Sequence, residues 1–172
     1  MKPSSENGTR PSEPVNESVR RALLGAIEKY LEEDPSQLES KYLANEHPEL
    51  MPRTFCSVQM VELRTDRSTY IAGVYSQCHE LARKGNAMVA GTALSSSAQI
   101  ARMEIHNGTP RLVSLESPEP GAGYLPTLRK MFTEEGVRKI TEGRIGVPLK
   151  AIYAEARKAF GLPADAKIID DL

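Results

Sequence analysis

The 172-residue chain reads as an α+β domain: N-terminal helices packed on a curled four-stranded antiparallel sheet, followed by a C-terminal helical extension. Three observations predict this class. Val19, Leu23, Ala26, Ile27, Tyr30 and Leu31 recur at helical spacing and make one apolar stripe. After them come four runs rich in β-branched and aromatic residues, joined by turn signals with no helix between them. Helical spacing then returns from Tyr124 onward. Strands joined by hairpins form an antiparallel sheet with helices packed on one face. Wrapping such a sheet around the Val19–Leu31 stripe is the natural way to bury it.

Each element has its own signal. Residues 1–15, rich in Ser, Pro, Glu, Asn and Gly, are expected to be a disordered linker. Asn16 or Ser18 caps a helix that runs to about Glu33, and Asp34-Pro35 ends it. A short helix is expected over Pro35–Asn45 with Leu38, Tyr42 and Leu43 turned inward. Strands follow over Thr54–Leu63 and Thr69–Leu81, then a long strand over Met88–Ile105. The middle of the long strand, Gly91–Ala98, is small and polar and should bend at glycine or a bulge. Asn107-Gly108 is a strong hairpin signal leading into Arg111–Glu116. One helix is expected over Tyr124–Thr141 and another from Val147-Pro148 to Phe160, stopped by Gly161-Leu162-Pro163. The domain proper is placed at 16–141 and the helical extension at 142–172.

Composition narrows the function. With 22 Lys+Arg against 23 Asp+Glu the net charge is −1, which argues against a dedicated nucleic-acid binder. The basic pairs, such as Arg83-Lys84 and Arg129-Lys130, are scattered and offset by acids. No apolar run approaches the roughly 18 residues that cross a bilayer. Two cysteines and three histidines, with no CxxC and no HxxxH, give no metal signature, and no cofactor is expected. No GxSxG, GxGxxG or Walker-type sequence occurs.

The two cysteines say more. A turn centred on Arg67 sets Cys56 directly opposite Cys78, with β-carbons about 4.5–5.5 Å apart. A disulfide needs roughly 3.5–4.5 Å. A turn one residue longer or shorter puts the two on opposite faces. The alternative is a pair of buried free thiols acting as small hydrophobes. A disulfide implies an oxidising compartment outside the membrane or in a periplasm; free thiols leave the cytoplasm open. Before a compact domain, the polar spacer at 1–15 suits a tethered protein whose N-terminal anchor is absent from the chain.

In a curled sheet, catalytic or ligand-binding groups would sit in the concave cavity, an acid or base beside a polarising tyrosine. Tyr70, Tyr75 and His79 are the candidate cavity groups, with Glu62 and Glu104 behind them. The bland alternatives are packing for Tyr75, a surface position for His79, and a solvent face for Glu62 and Arg64. Ser95-Ser96-Ser97 has no neighbouring base to activate a hydroxyl and reads as a bend or strand edge. No catalytic residue is assigned.

The segment Asn107-Gly108-Thr109-Pro110-Arg111-Leu112-Val113-Ser114-Leu115-Glu116-Ser117-Pro118, followed by Gly121-Ala122-Gly123-Tyr124, is similar to the last hairpin of small extracytoplasmic domains of bacterial lipoproteins and membrane-anchored proteins. There an NGxW(K)VVSxExP hairpin runs into a DGxxY turn and a helix. Here Pro110-Arg111-Leu112 replaces the usual aromatic and Gly121-Ala122-Gly123 the Asp-Gly. Helix followed by bent meander resembles the cystatin-like and NTF2-like folds over about residues 16–140. The resemblance implies a non-enzymatic extracytoplasmic binding or assembly module, with protein or peptide partners and a homodimer within reach. Two alternatives stand beside it: a small-ligand-binding or isomerase-like enzyme using the concave cavity, and a scaffold component of a secretion or conjugation apparatus.

Overall fold

A computed structural model describes residues 16–34, 42–145 and 149–169, and leaves aside the side chains of 92–95. The expected linker at 1–15, the start of the second helix with Leu38, and the Val147-Pro148 helix start lie outside the described residues.

Asn16 caps α1 (Glu17–Glu33), its side chain accepting the Ser18 N–H at 2.9 Å. A short α2 (Tyr42–Glu46) follows, then a 3₁₀ turn at Pro48–Leu50. Leu43 of α2 is buried, but Tyr42, expected inward, is 39% exposed because its ring turns edge-on to His47 instead. The meander consists of β1 (Arg53–Asp66), β2 (Thr69–Lys84), β3 (Ala87–His106) and β4 (Thr109–Glu116), in that spatial order. Asn107 and Gly108 both have positive φ, as a type I′ hairpin requires.

Three features depart from expectation. The predicted Tyr124–Thr141 helix is two helices, α3 (Tyr124–Met131) and α4 (Glu134–Thr141). Thr133 breaks it by becoming the N-cap of α4, where its hydroxyl accepts the Gly136 N–H and two glutamates sit in the first turn. The sheet is also mixed rather than purely antiparallel. After α5 (Leu149–Ala159), the short β5 (Ile168–Ile169) pairs parallel to Met88 and Val89 at the free end of β3. The extension is therefore not wholly helical, since Ile168 finds its apolar partners by joining the sheet. Finally, helices cover both faces of the sheet rather than one.

On the first face, Leu23, Ile27 and Leu31 of α1 are at most 1% exposed. They pack on Cys56 and Val58 of β1, Ala72 and Val74 of β2, Ala101 and Met103 of β3, and Leu112 and Leu115 of β4. One helix touches all four meander strands only if the sheet curls around it. On the second face there are two separate apolar clusters. Leu128 and Phe132 of α3 and its end pack on Val61, Ile71, Ala98 and Ile100. Ile152 and Ala156 of α5 pack on Phe55, Leu81, Met88 and Ala90.

Cys56 and Cys78 form a disulfide, with Cα atoms 4.1 Å apart. They are direct partners in the β1–β2 ladder. The turn that brings them together differs from the expected one. Asp66 pairs with Thr69, so the turn is the two residues Arg67-Ser68, with Arg67 at φ +57°. Pairs nearest the turn have residue numbers summing to 135, and in that register the cysteines would lie on opposite faces. A bulge between Met60 and Glu62 restores the sum to 134 and brings them together.

Candidate functional site

The polar residues of the sheet are the place to look, and the alternation of β2 sorts them. Tyr70, Ala72, Val74 and Cys78 face α1. Tyr75, Gln77 and His79 therefore point to the second face. The three tyrosine and histidine candidates do not converge: Tyr70 lies across the sheet from Tyr75 and His79. Tyr70 lines a shallow surface cavity of about 340 Å³ at the β1–β2 hairpin tip, with Thr65, Arg67, Ser68, Thr69 and Ile105. It does not face a concave interior, because α1 fills that side.

His79 is buried, at 7% exposure, rather than at the surface, because α5 lies over it. Its Nε2 lies 3.0 Å from the Gly91 carbonyl and so carries the proton, leaving Nδ1 to accept from the Tyr153 hydroxyl at 3.3 Å. Both ring nitrogens are engaged. Next to it on the opposite face, Glu80 is also buried and accepts the N–H groups of Leu43 and Ala44 at 2.7 and 3.0 Å. Here β3 is irregular, Leu94 pairing with His79 and Ala90 with Leu81. Gly91 occupies the bulge, and a side chain there would meet Glu80 at 3.2 Å.

Glu62, expected on a solvent face, instead accepts the Thr133 N–H at 3.1 Å and the Thr133 hydroxyl, pinning the start of α4 to β1. Arg64 reaches the Met131 carbonyl at 3.2 Å. These contacts hold α3 and α4 at one end of the sheet.

Between the α5 cluster and the α3–α4 cluster the second face is polar. Ser57 of β1 pairs with Gln77 of β2, and Gln77 with Ser96 of β3. The three side chains form a row across the strands. Gln77 Nε2 donates to Ser96 Oγ at 3.3 Å. Gln59 and Tyr75 pair beside the row on the α3 side, and His79 with Tyr153 bounds it on the α5 side. Ser96 is exposed, and Ser57, Gln59, Tyr75 and Gln77 are half-buried. None of the five carries a charge. Sequence reasoning passed over Ser57, Gln59 and Gln77 because isolated Ser and Gln in a strand carry no chemical motif. Their shared face follows only once the cysteine register is known.

A third group lies at the outer edge of β1. Glu28 and Glu32 of α1 and Glu155 of α5 bring carboxylate oxygens within 4.8 Å of one another. Burial, with Glu155 next in effect, pushes Glu28 up to about 7. Burial likewise takes Glu32 to about 7, against the pull of the Cys56 N–H, which Glu32 accepts at 3.0 Å. Among the described residues these are the acids closest to a cation-binding geometry. Their visible role is to close the β1 edge between α1 and α5. A groove of about 340 Å³ between α3 and α4 is lined by Arg129, Glu134, Val137, Arg138 and Thr141. Opposite charges share it, so it has no single-sign field.

Comparisons with protein families, with curated proteins and with solved structures find no match for this chain.

Proposed function

We propose that this chain is a non-enzymatic binding or assembly module of a bacterial cell envelope, working outside the cytosol. One observation carries the reading: the concave face is filled by α1, while the opposite face keeps a row of uncharged polar side chains, exposed at Ser96, between two helical groups. A filled concave face leaves the apolar cavity of a small-molecule enzyme no room there. With both of its ring nitrogens engaged, His79 is poorly placed as a general base. The Cys56–Cys78 bridge supports an oxidising compartment. Among the described residues no helix is long and apolar enough to cross a membrane.

Site-specific photo-crosslinking in cells of the source organism tests the reading. A crosslinking residue in place of exposed Ser96 should yield a discrete adduct, with a second copy of the chain or with another protein. The same residue in place of Glu142, exposed beyond α4, should not. No adduct from position 96, or the same adducts from both positions, contradicts the reading.

A further inference from the structure

We propose that a second copy of this chain docks edge to edge on β4, joining the two meanders into one continuous antiparallel sheet in a fixed register. The inference goes beyond the reading of the polar face, since it concerns a different surface and does not depend on that row. β1 and β4 are the outer strands of the meander. The β1 edge is closed by Glu28, Glu32 and Glu155 between α1 and α5. Among the described residues β4 pairs only with β3, and no residue of β4 is buried. Val113 is 56% exposed there. An open strand edge presents main-chain N–H and C=O groups that another strand can satisfy.

A bulge decides which strand fits. Arg102 pairs with Ser114 and Met103 with Leu112, so Val113 is an extra residue on β4. Leu112 and Leu115, three positions apart, consequently both pack on the α1 side. Their main-chain groups share a direction as well. The two-residue Asn107-Gly108 turn closes on the bonded pair His106–Thr109, so Arg111 also bonds to β3 and Leu112 turns its N–H and C=O outward. From the other end, Cys56–Cys78 is a non-bonded pair, because the Cys56 N–H goes to Glu32. Counting on from Ser95, the β3 partner of Cys78, Ala101 bonds to β2 and leaves Leu115 pointing outward. A regular strand alternates every two residues and falls out of step past Val113. An antiparallel second copy carries the same three-residue step in reverse and matches β4 on both sides of the bulge. That register sets Leu112 opposite Leu115 of the second copy and Arg111 opposite its Glu116, each pair occurring twice by symmetry. The charges are complementary. The Arg111 guanidinium has no ion pair or hydrogen bond among the described residues, and Glu116 meets Arg102 at 3.6 Å on the exposed surface. Val113 falls beside the two-fold axis, where its copy covers it. Pro110, which offers no N–H outward, lies just beyond the paired stretch.

Analytical ultracentrifugation of the full chain over a wide concentration series tests the proposal. The expected result is a reversible dimer of twice the 18.9 kDa chain mass. Arg111→Glu or Glu116→Arg alone sets like charges opposite each other at both places and should weaken dimerisation about tenfold. The double variant Arg111→Glu/Glu116→Arg exchanges the signs and should restore it, which also shows that the strand still folds. Register is read by mixing Arg111→Cys chains with Glu116→Cys chains under oxidation. The mixture should give a disulfide-linked pair that neither chain gives alone. A monomer at every concentration, a dimer indifferent to the single charge changes, or crosslinks formed equally well by one chain alone would overturn the proposal. Each of these leaves the polar face to be judged by its own crosslinking at position 96.

Discussion

At Cys56 the side chain and the main chain point to different partners. The sulfur joins Cys78 on the α1 side of the sheet, and the amide hydrogen leaves the ladder for Glu32. This is the geometry of a non-hydrogen-bonded antiparallel pair, whose Cα atoms approach closely and whose N–H groups face outward. Both cysteines are buried, so the bridge is part of the core rather than an exposed redox handle. The double substitution C56A/C78A should lower stability by about 2–4 kcal/mol in urea unfolding, the range for a bridge closing a short loop. Gly73 answers a different local demand. A Cβ there would lie 2.7 Å from the Phe132 ring and 2.8 Å from Glu62 Cγ. Gly73→Ala should cost about 1–3 kcal/mol, measured the same way, because the α3 end must move off the sheet. His79 and Glu62 show why single residues are hard to place from sequence. Each looked exposed by its position along a strand, yet a helix more than 50 residues away in the chain buries His79 and half-buries Glu62.

Among elements, the β1–β2 hairpin depends on its bulge. The two-residue turn and the bulge are each out of step by one position, and together they bring sulfur to sulfur. Deleting Val61 removes the extra residue and leaves Cys56 opposite Cys78, so thiol titration under denaturing conditions should still find no free thiols. Deleting Gln59 moves Cys56 opposite Gln77 on the wrong face, and the same titration should find two. Free thiols in the first variant, or none in the second, would contradict the register. The α1–α5 contact gives a prediction in pH. Glu28 and Glu32 hold their protons to about 7 in the folded state, against about 4.5 when unfolded. Between these values the native state binds more protons than the unfolded one, so their contribution is full below about 4.5 and is lost as pH rises through 7. Allowing for solvent screening of half-exposed groups, the pair should contribute a fall of about 1–2 kcal/mol from pH 5 to 8. The E28Q/E32Q variant should flatten the stability profile by that amount in urea titrations at each pH. An unchanged slope would show that the two carboxyls titrate normally.

On the scale of the whole molecule, what was legible in the sequence was what depends on neighbours in the chain. The α1 stripe, the Asn16 cap, the four meander strands and the Asn107-Gly108 hairpin all follow from local period and turn chemistry. The split at Thr133 was within reach, since a threonine followed by two glutamates is an N-terminal helix signal. Beyond local reasoning lay the pairing of Ile168-Ile169 with β3 and the covering of both sheet faces, because each depends on contacts distant in sequence. The candidate site followed the same division. Cys56 and Cys78 could be paired by counting from a turn, though the count reached its answer through a turn and a bulge that offset each other. Ser57, Gln77 and Ser96 could not be grouped until three strands were in register. The account of an extracytoplasmic module depends most on the bridge forming where the protein works. Trapping thiols with an alkylating agent in intact cells of the source organism, then weighing the intact chain before and after reduction, measures this directly. The account predicts no alkyl group on Cys56 or Cys78 before reduction and two after it. A chain carrying both alkyl groups from the first sample would contradict it.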